Sequence, residues 1–299
     1  MTQQDAFATY LELRESTPEG EQAAGLSHTS EGLVLVHVLE VAARCEPRGI
    51  VTIVHDAGEH GGQYEALAHA LADEGFAVAL PDMRGHGQSE GARGHSNGLR
   101  EVYRDLDEVL NHLAYRLPEA PKMLVGHGLG ALYCAHYAFE NPGAIASLVL
   151  AAPLAEPKFE LPESKKGLMS VFAKKVGPTS TGSINWSLDR LTRDAAKRGE
   201  LERDEKRHDL ITVRAAEQAS EAARGCLPRL GELKVPCLVL QGSADDISPA
   251  DRVHSLSGCE MKRFDGMKHG LFVDQGCEEV VAEVVAWSRL YGARHPSTT

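Results

Sequence analysis

The sequence predicts an α/β fold: an open, mostly parallel sheet covered by helices on both faces. Three observations carry this expectation. Short runs of branched apolar residues alternate with stretches of helical period between residues 50 and 151, as in Ile50-Val51-Thr52-Ile53-Val54. Gly, Pro or Asp residues such as Gly75, Pro81-Asp82 and Pro153 mark each change of period. The same alternation resumes at Cys237 after a long break. Parallel strands are buried on both faces, which is why they read as nearly continuous apolar runs.

Taken in order, residues 1–27 form an N-terminal extension. Its weakly amphipathic patch at 7–13 is read as one helix turning into a polar, Gly-containing loop. Ser30-Glu31-Gly32 is a turn before a strand over 33–40. A second break at 45–49 precedes a short buried strand over 50–55. Residues 64–74 place Leu67, Ala70 and Leu71 at helical spacing and end at Gly75. A strand over 76–80 stops at Pro81. Residues 99–117 carry Val102, Leu106, Val109, Leu110 and Leu113 on one helical face, with Pro118 beyond. A strand over 122–125, a helix over 130–141 and a strand over 146–151 follow. Their crossovers should be right-handed.

Residues 154–234 interrupt the pattern. They show no convincing strand, many charges (Lys165-Lys166, Lys174-Lys175, and a cluster from 190 to 214) and one apolar knot at 168–172. This segment is read as a helical cap inserted over one end of the sheet. The knot is read as a cap helix packing on the main domain or a patch meeting acyl chains or a membrane surface. The core then comprises 28–153 and 235–293. Its second part has a strand over 237–241, a helix near 249–256, a strand over 261–264 and a helix over 278–291. Residues 294–299 are a tail.

Composition narrows the class. The 299 residues are 42% hydrophobic and 25% charged, values of ordinary globular proteins rather than disordered chains or coiled coils. No apolar run is long enough for a bilayer-spanning helix. The net charge of −12 opposes binding to phosphate backbones, so no nucleic-acid partner is expected. The N-terminus lacks a basic region followed by an apolar one, and the six cysteines are scattered without a C-x-x-C pair. A cytoplasmic protein with reduced thiols is the expectation, with no metal site built from cysteine and no cofactor.

Ligands in such sheets bind beyond the carboxyl ends of the strands. Four of those ends carry unusual residues here, at 55–60, 126–130, 242–246 and 266–270. Their sequences, together with Gly58-Glu59-His60, the run from Pro81 to Gly91 (PDMRGHGQSEG) and Arg93-Gly94-His95, resemble the α/β-hydrolase superfamily. Within it they look like the monoglyceride lipase and lysophospholipase group of serine aminopeptidase S33 type. The resemblance covers roughly residues 28–290 and is looser in the cap. It implies a carboxylic-ester hydrolase of monoacylglycerols or lysophospholipids, and a small acyl ester or lipid-like ligand as partner. Transient membrane-surface contact would run through the cap.

The resemblance also assigns roles. Asp245 in Gln241-Gly242-Ser243-Ala244-Asp245 takes the place of the carboxylate that orients the histidine. Read from the residues alone, Asp245 also fits a turn or helix N-cap, and Asp246 competes with it. His269 takes the place of the base, against the alternative of a surface-loop histidine. Backbone N–H groups of Ala57 and Leu129 take the place of the oxyanion hole. The nucleophile is where the chain departs from the pattern: G-x-S-x-G reads Gly126-His127-Gly128-Leu129-Gly130, so Gly128 stands at the serine position. Cys134, His127 and Ser89 are poor substitutes by position. The family usually has His-Gly where this chain has His55-Asp56. Asp56 either opposes a developing oxyanion or turns to solvent or to a nearby N–H. His55, Glu59 and His60 match no metalloprotease spacing.

The expectation is a hydrolase-derived protein disabled for serine chemistry, which binds acyl esters with little turnover. The alternative is an active ester hydrolase working through the Asp245–His269 pair, the glycine being a variant or engineered replacement.

Overall fold

The computed structural model describes residues 6–14, 33–162, 177–254 and 258–293. The apolar runs become eight strands of one sheet: β1 (Ala6–Arg14), β2 (Leu33–Val41), β3 (Gly49–Val54), β4 (Phe76–Pro81), β5 (Lys122–His127), β6 (Ser147–Ala151), β9 (Cys237–Gly242) and β10 (Glu260–Phe264). Their order across the sheet is β1-β2-β4-β3-β5-β6-β9-β10. From β4 to β10 every neighbouring pair is parallel, while β2 runs antiparallel to β1 and β4. Residues 50–54, 123–125 and 238–240 are buried along their whole length, which explains their lack of alternation.

The helices fall on both faces. Leu67 and Leu71 of α1 (Glu65–Asp73) and Val280, Val284 and Trp287 of α8 (Cys277–Tyr291) pack in one apolar cluster with Val51, Ile53 and Val125. Leu106 and Leu110 of α2 (Leu99–Arg116) and Leu132 of α3 (Leu129–Glu140) pack in another with Val54, Leu124 and Val239. Each such leucine contributes about 1.5–3 kcal/mol relative to an exposed one. The doubly covered parallel sheet of the α/β-hydrolase fold is therefore present.

Two expectations change. Residues 6–14 form a strand, not a helix. From Thr9 onward inward and outward residues alternate strictly, with Leu11 and Leu13 turned in and Tyr10, Glu12 and Arg14 turned out. Pairing with β2 from Ala6↔Val41 to Arg14↔Leu33 supplies the missing hydrogen bonds. Between β6 and β9, two three-residue strands, β7 (Thr181–Ser183) and β8 (Leu210–Thr212), pair as a ribbon where no strand was expected. The same stretch holds α4 (Leu188–Leu191), α5 (Ala195–Glu202) and α6 (Val213–Cys226). Ala219 and Ala222 of α6 pack in the same cluster as Leu132 of α3. The helix near 249–256 is described as α7 (Ala250–His254). The turn at 30–32, the rest of the extension, the 168–172 knot, the lysine pairs at 165–166 and 174–175, and the 294–299 tail lie outside the described residues. Among the described residues, no helix is long and apolar enough to cross a membrane.

The sheet order places β3 beside β5, and β6 between β5 and β9. The loops leaving the carboxyl ends of β3, β5, β9 and β10 consequently meet over one end of the sheet.

Candidate active site

At the strand-to-helix turn, β5 ends at His127 and α3 begins at Leu129. Gly128 between them has φ +52° and ψ −111°, a conformation that side-chain-bearing residues adopt only under strain. The turn is tight because α3 lies close to β3: a Cβ on Gly130 would stand 2.3 Å from the Val54 carbonyl oxygen. Gly128 offers no atom that could attack a carbonyl.

The space above Gly128 is filled by Asp56, the second residue after β3. Its Oδ1 accepts hydrogen bonds from the backbone N–H of Ala57 (2.7 Å) and of Leu129 (2.6 Å). Its Oδ2 lies 2.9 Å from His269 Nε2. Asp56 therefore turns to nearby N–H groups rather than to solvent, and those groups are the two amides assigned to the oxyanion hole. A Cβ on Gly128 would meet Asp56 Cγ and Oδ1 at 2.0 Å. A serine at position 128 and the observed aspartate rotamer at 56 exclude each other.

His269 follows β10 and is fully buried. Its Nδ1 is 2.8 Å from Asp245 Oδ2. Asp245 Oδ1 accepts from the N–H groups of Ile247 and Ser248, both at 2.9 Å, and Gln241 Nε2 donates to Oδ2 at 3.0 Å. Asp245 thus holds its own turn and His269 together. Asp246 is exposed and pairs with Arg190 instead. Burial alone would lower the pKa of His269, but the charge and hydrogen bond of Asp245, joined by Asp56, outweigh it and raise the value to about 10. Burial would raise the pKa of Asp245, and the cation on His269 outweighs that and lowers it. The centre is an imidazolium held between two carboxylates, one at each ring nitrogen.

A second polar cluster backs the first. His127 Nε2 donates to the His269 carbonyl at 2.9 Å, and its Nδ1 lies 2.8 Å from Tyr64 Oη. Tyr64 in turn donates to Glu59 Oε2, and Arg207 donates to Glu59 Oε1 at 3.2 Å. Burial opposes ionisation of Glu59, yet its hydrogen bond and charge contact with His127 hold it well below the usual carboxylate range. The same pair, working against burial, raises His127. His55 donates from Nδ1 to the Asp56 carbonyl at 2.7 Å and accepts the Met83 N–H at Nε2; burial lowers its pKa. His60 Nε2 meets Asp204 at 2.7 Å. His55, Glu59 and His60 thus serve three separate partners.

The residues weighed as substitute nucleophiles are placed elsewhere. Cys134 is buried in α3, and burial pushes its thiol far above the ordinary range. Ser89 donates to the Asp82 carbonyl and accepts the His37 N–H, fixing its own loop. Sequence reasoning left the direction of Asp56 open; it missed the bond of Asp56 to His269 and missed Trp186, whose ring centre stands 5.3 Å from that of His269. The departure from His-Gly at position 56 was the one trace of the former. Trp186 lies between β6 and β9, where no periodic pattern points to the site.

A small cavity opens beside the centre, lined by Ala57, Met83, Leu129, Tyr133, Ile211 and Ala215 among others. Its polar lining includes Arg84, which donates from Nε and Nη2 to both oxygens of Asp105 at 2.5 and 2.9 Å. Burial outweighs that pairing and raises the Asp105 pKa to about 6.

Comparison with known proteins agrees with this geometry. A family model described as serine aminopeptidase, S33, matches residues 45–276. A monoacylglycerol lipase of Mycolicibacterium smegmatis is 26% identical over 252 residues, 81% of this chain and 88% of that protein. An uncharacterized abhydrolase domain-containing protein of Dictyostelium discoideum is 25% identical over 85% of this chain, which spans only 28% of that longer relative. The crystal structure of a monoacylglycerol lipase from Paleococcus ferrophilus superposes with a TM-score of 0.69 at 28% identity, covering 84% of this chain and 97% of that one. The chain belongs to the serine aminopeptidase S33 family of α/β-hydrolases.

Proposed function

We propose that this protein binds an acyl ester or similar lipid-like ligand in its apolar cavity and has lost serine acyl transfer. The observation that carries this reading is the Asp56 carboxylate. It occupies both backbone donors and the His269 ring nitrogen above a residue with no side chain. An ester carbonyl entering the site finds no nucleophile, and its oxygen finds both amides taken. In an intact serine triad, loss of the nucleophile lowers turnover by about 10⁶-fold. A filled hole adds to that loss, since one such donor is worth about 10²–10³ in rate. Binding is a separate matter: the cavity is mostly apolar and does not depend on position 128. The monoacylglycerol lipases among its relatives support a lipid-like ligand.

The retained Asp245–His269 pair favours a second reading, slow ester hydrolysis by a water activated at His269. That water needs the nitrogen to which Asp56 is bonded, so the first reading is preferred. The test is turnover of p-nitrophenyl butyrate beside binding of a fluorescent monoacylglycerol. The proposal expects saturable binding and turnover at background. Turnover that His269→Ala abolishes would establish the second reading, and absence of binding would remove the first.

A further inference from the structure

We propose that Cys237 and Cys259 form a redox-modification site, a thiol pair that a hydroperoxide closes to a disulfide and a dithiol reopens. The inference goes beyond the reading of the ligand site and does not rest on it. The pair lies at the amino ends of β9 and β10, whereas Asp245 and His269 follow their carboxyl ends.

Sheet register brings the two cysteines together. β10 runs parallel to β9, with Glu260 opposite Leu238 and Met261 opposite Val239. Cys259 and Cys237 stand just before that first pair and continue the same register. Alternation turns odd-numbered residues of both strands to one face: Cys237, Val239, Cys259 and Met261 pack in the cluster shared with α3 and α6. Neighbouring strands lie about 4.8 Å apart, inside the range of about 4.4–6.8 Å between Cα atoms that a disulfide spans. The backbone beside each thiol is fixed. Leu148 N–H donates to the Pro236 carbonyl at 3.0 Å. Gly258 takes a left-handed turn (φ +85°) so close to Gly231 that a Cβ would stand 2.1 Å from the Gly231 Cα. β10 is the edge of the sheet, so Cys259 closes on Cys237 without a second strand to disturb.

The two thiols differ as the chemistry requires. They share a hydrogen bond in which Cys237 donates. That bond outweighs burial at Cys259 and holds it below the ordinary thiol range. The same bond, with burial, pushes Cys237 well up. Cys259 is half-buried and Cys237 is buried, so the attacking thiolate is Cys259. Cys226 packs in the same cluster, but its thiol donates to the Ala222 carbonyl of its own helix at 2.8 Å.

The steps balance. The Cys259 thiolate, its proton given to solvent, attacks one oxygen of hydrogen peroxide. The O–O bond breaks, and the departing hydroxide takes up a proton to leave as water. Cys259 is then a sulfenic acid. Cys237 sulfur attacks Cys259 Sγ, the S–O bond breaks, and the hydroxyl leaves as water with the Cys237 proton. The sum is 2 R–SH + H₂O₂ → R–S–S–R + 2 H₂O, the sulfurs being oxidised and the peroxide reduced.

The test treats the fully reduced chain with hydrogen peroxide and maps its peptides by mass spectrometry without reduction. The proposal expects one Cys237–Cys259 cross-link per chain, with loss of two hydrogen atoms, reversed by dithiothreitol. Cys237→Ser should stop at a Cys259 sulfenic acid that dimedone traps, and Cys226→Ser should cross-link as the parent does. Cys259→Ser, checked for cooperative unfolding in urea, should leave Cys237 a thiol. Oxidation of the exposed Cys45 while Cys237 and Cys259 stay thiols overturns the inference. A bridge from either cysteine to Cys226 overturns it equally. Ligand binding and ester turnover are read separately, so neither stands or falls with the cross-link.

Discussion

At the scale of the residue, positions 56 and 128 behave as one unit. The conformation at Gly128 is the strained turn that nucleophiles of this fold occupy, and glycine relieves that strain. The volume that a side chain at position 128 would need is taken by Asp56, whose carboxyl group such a Cβ would meet. Asp56 and Gly128 are thus complementary, the aspartate filling space that a side chain at position 128 would need. Restoring the hydroxyl alone is then expected to fail. Gly128→Ser should leave ester turnover near background and lower stability by about 1–3 kcal/mol, read by urea unfolding, because overpacking and a strained backbone act together. Tyr64 is coupled to the same centre through Glu59 and His127. Tyr64→Phe removes one donor to a buried carboxylate and should cost about 1–3 kcal/mol in the same measurement.

At the scale of the element, the strands and helices that carry the site follow from hydrophobic period, and they were legible for that reason. Helix α2 is the clearest case: Val102, Leu106, Val109, Leu110 and Leu113 are all buried, as their spacing implies. Leu106→Ala should cost about 2–5 kcal/mol, whereas Leu290→Ala, on the exposed side of α8, should stay within about 0.5 kcal/mol. Thermal unfolding of the two variants separates core from surface. The elements that were not legible are short or lie at an edge. Strand β1 covers nine residues whose alternation sets in only at Thr9, so a helical reading competed with it. Strands β7 and β8 have three residues each and exist through pairing with one another, which no local period announces. At the site, the family resemblance, carried on the motifs at the strand ends, brought Asp245, His269, Gly128, Ala57 and Leu129 into view. The direction of the Asp56 side chain was undecided, because it depends on a partner 213 residues away in the chain.

At the scale of the whole molecule, the buried centre ties stability to pH. The His269 pKa rises on folding from 6.5 to about 10. The stability it contributes is therefore complete below about 6.5 and is lost as pH rises through 10. Unfolding free energies measured between pH 6.5 and 10 should fall along this range. In Asp56→Asn the fall should still begin near pH 6.5 but end at lower pH and be smaller, since one of the two carboxylates that raise the imidazole is gone. A chain of net charge −12 holds this site as a closed ion triad beneath Trp186 and beside an apolar cavity. The α/β-hydrolase fold thus surrounds a centre that already contains its own carboxylate.

The most direct measurement is the rate of labelling by a fluorophosphonate in four proteins: the parent, Gly128→Ser, Asp56→Gly and the double variant. If Asp56 fills the place of the missing hydroxyl and its oxyanion site, neither single variant labels and the double variant does, by orders of magnitude. Rapid labelling of Gly128→Ser with Asp56 in place, or of the parent itself, would contradict the account.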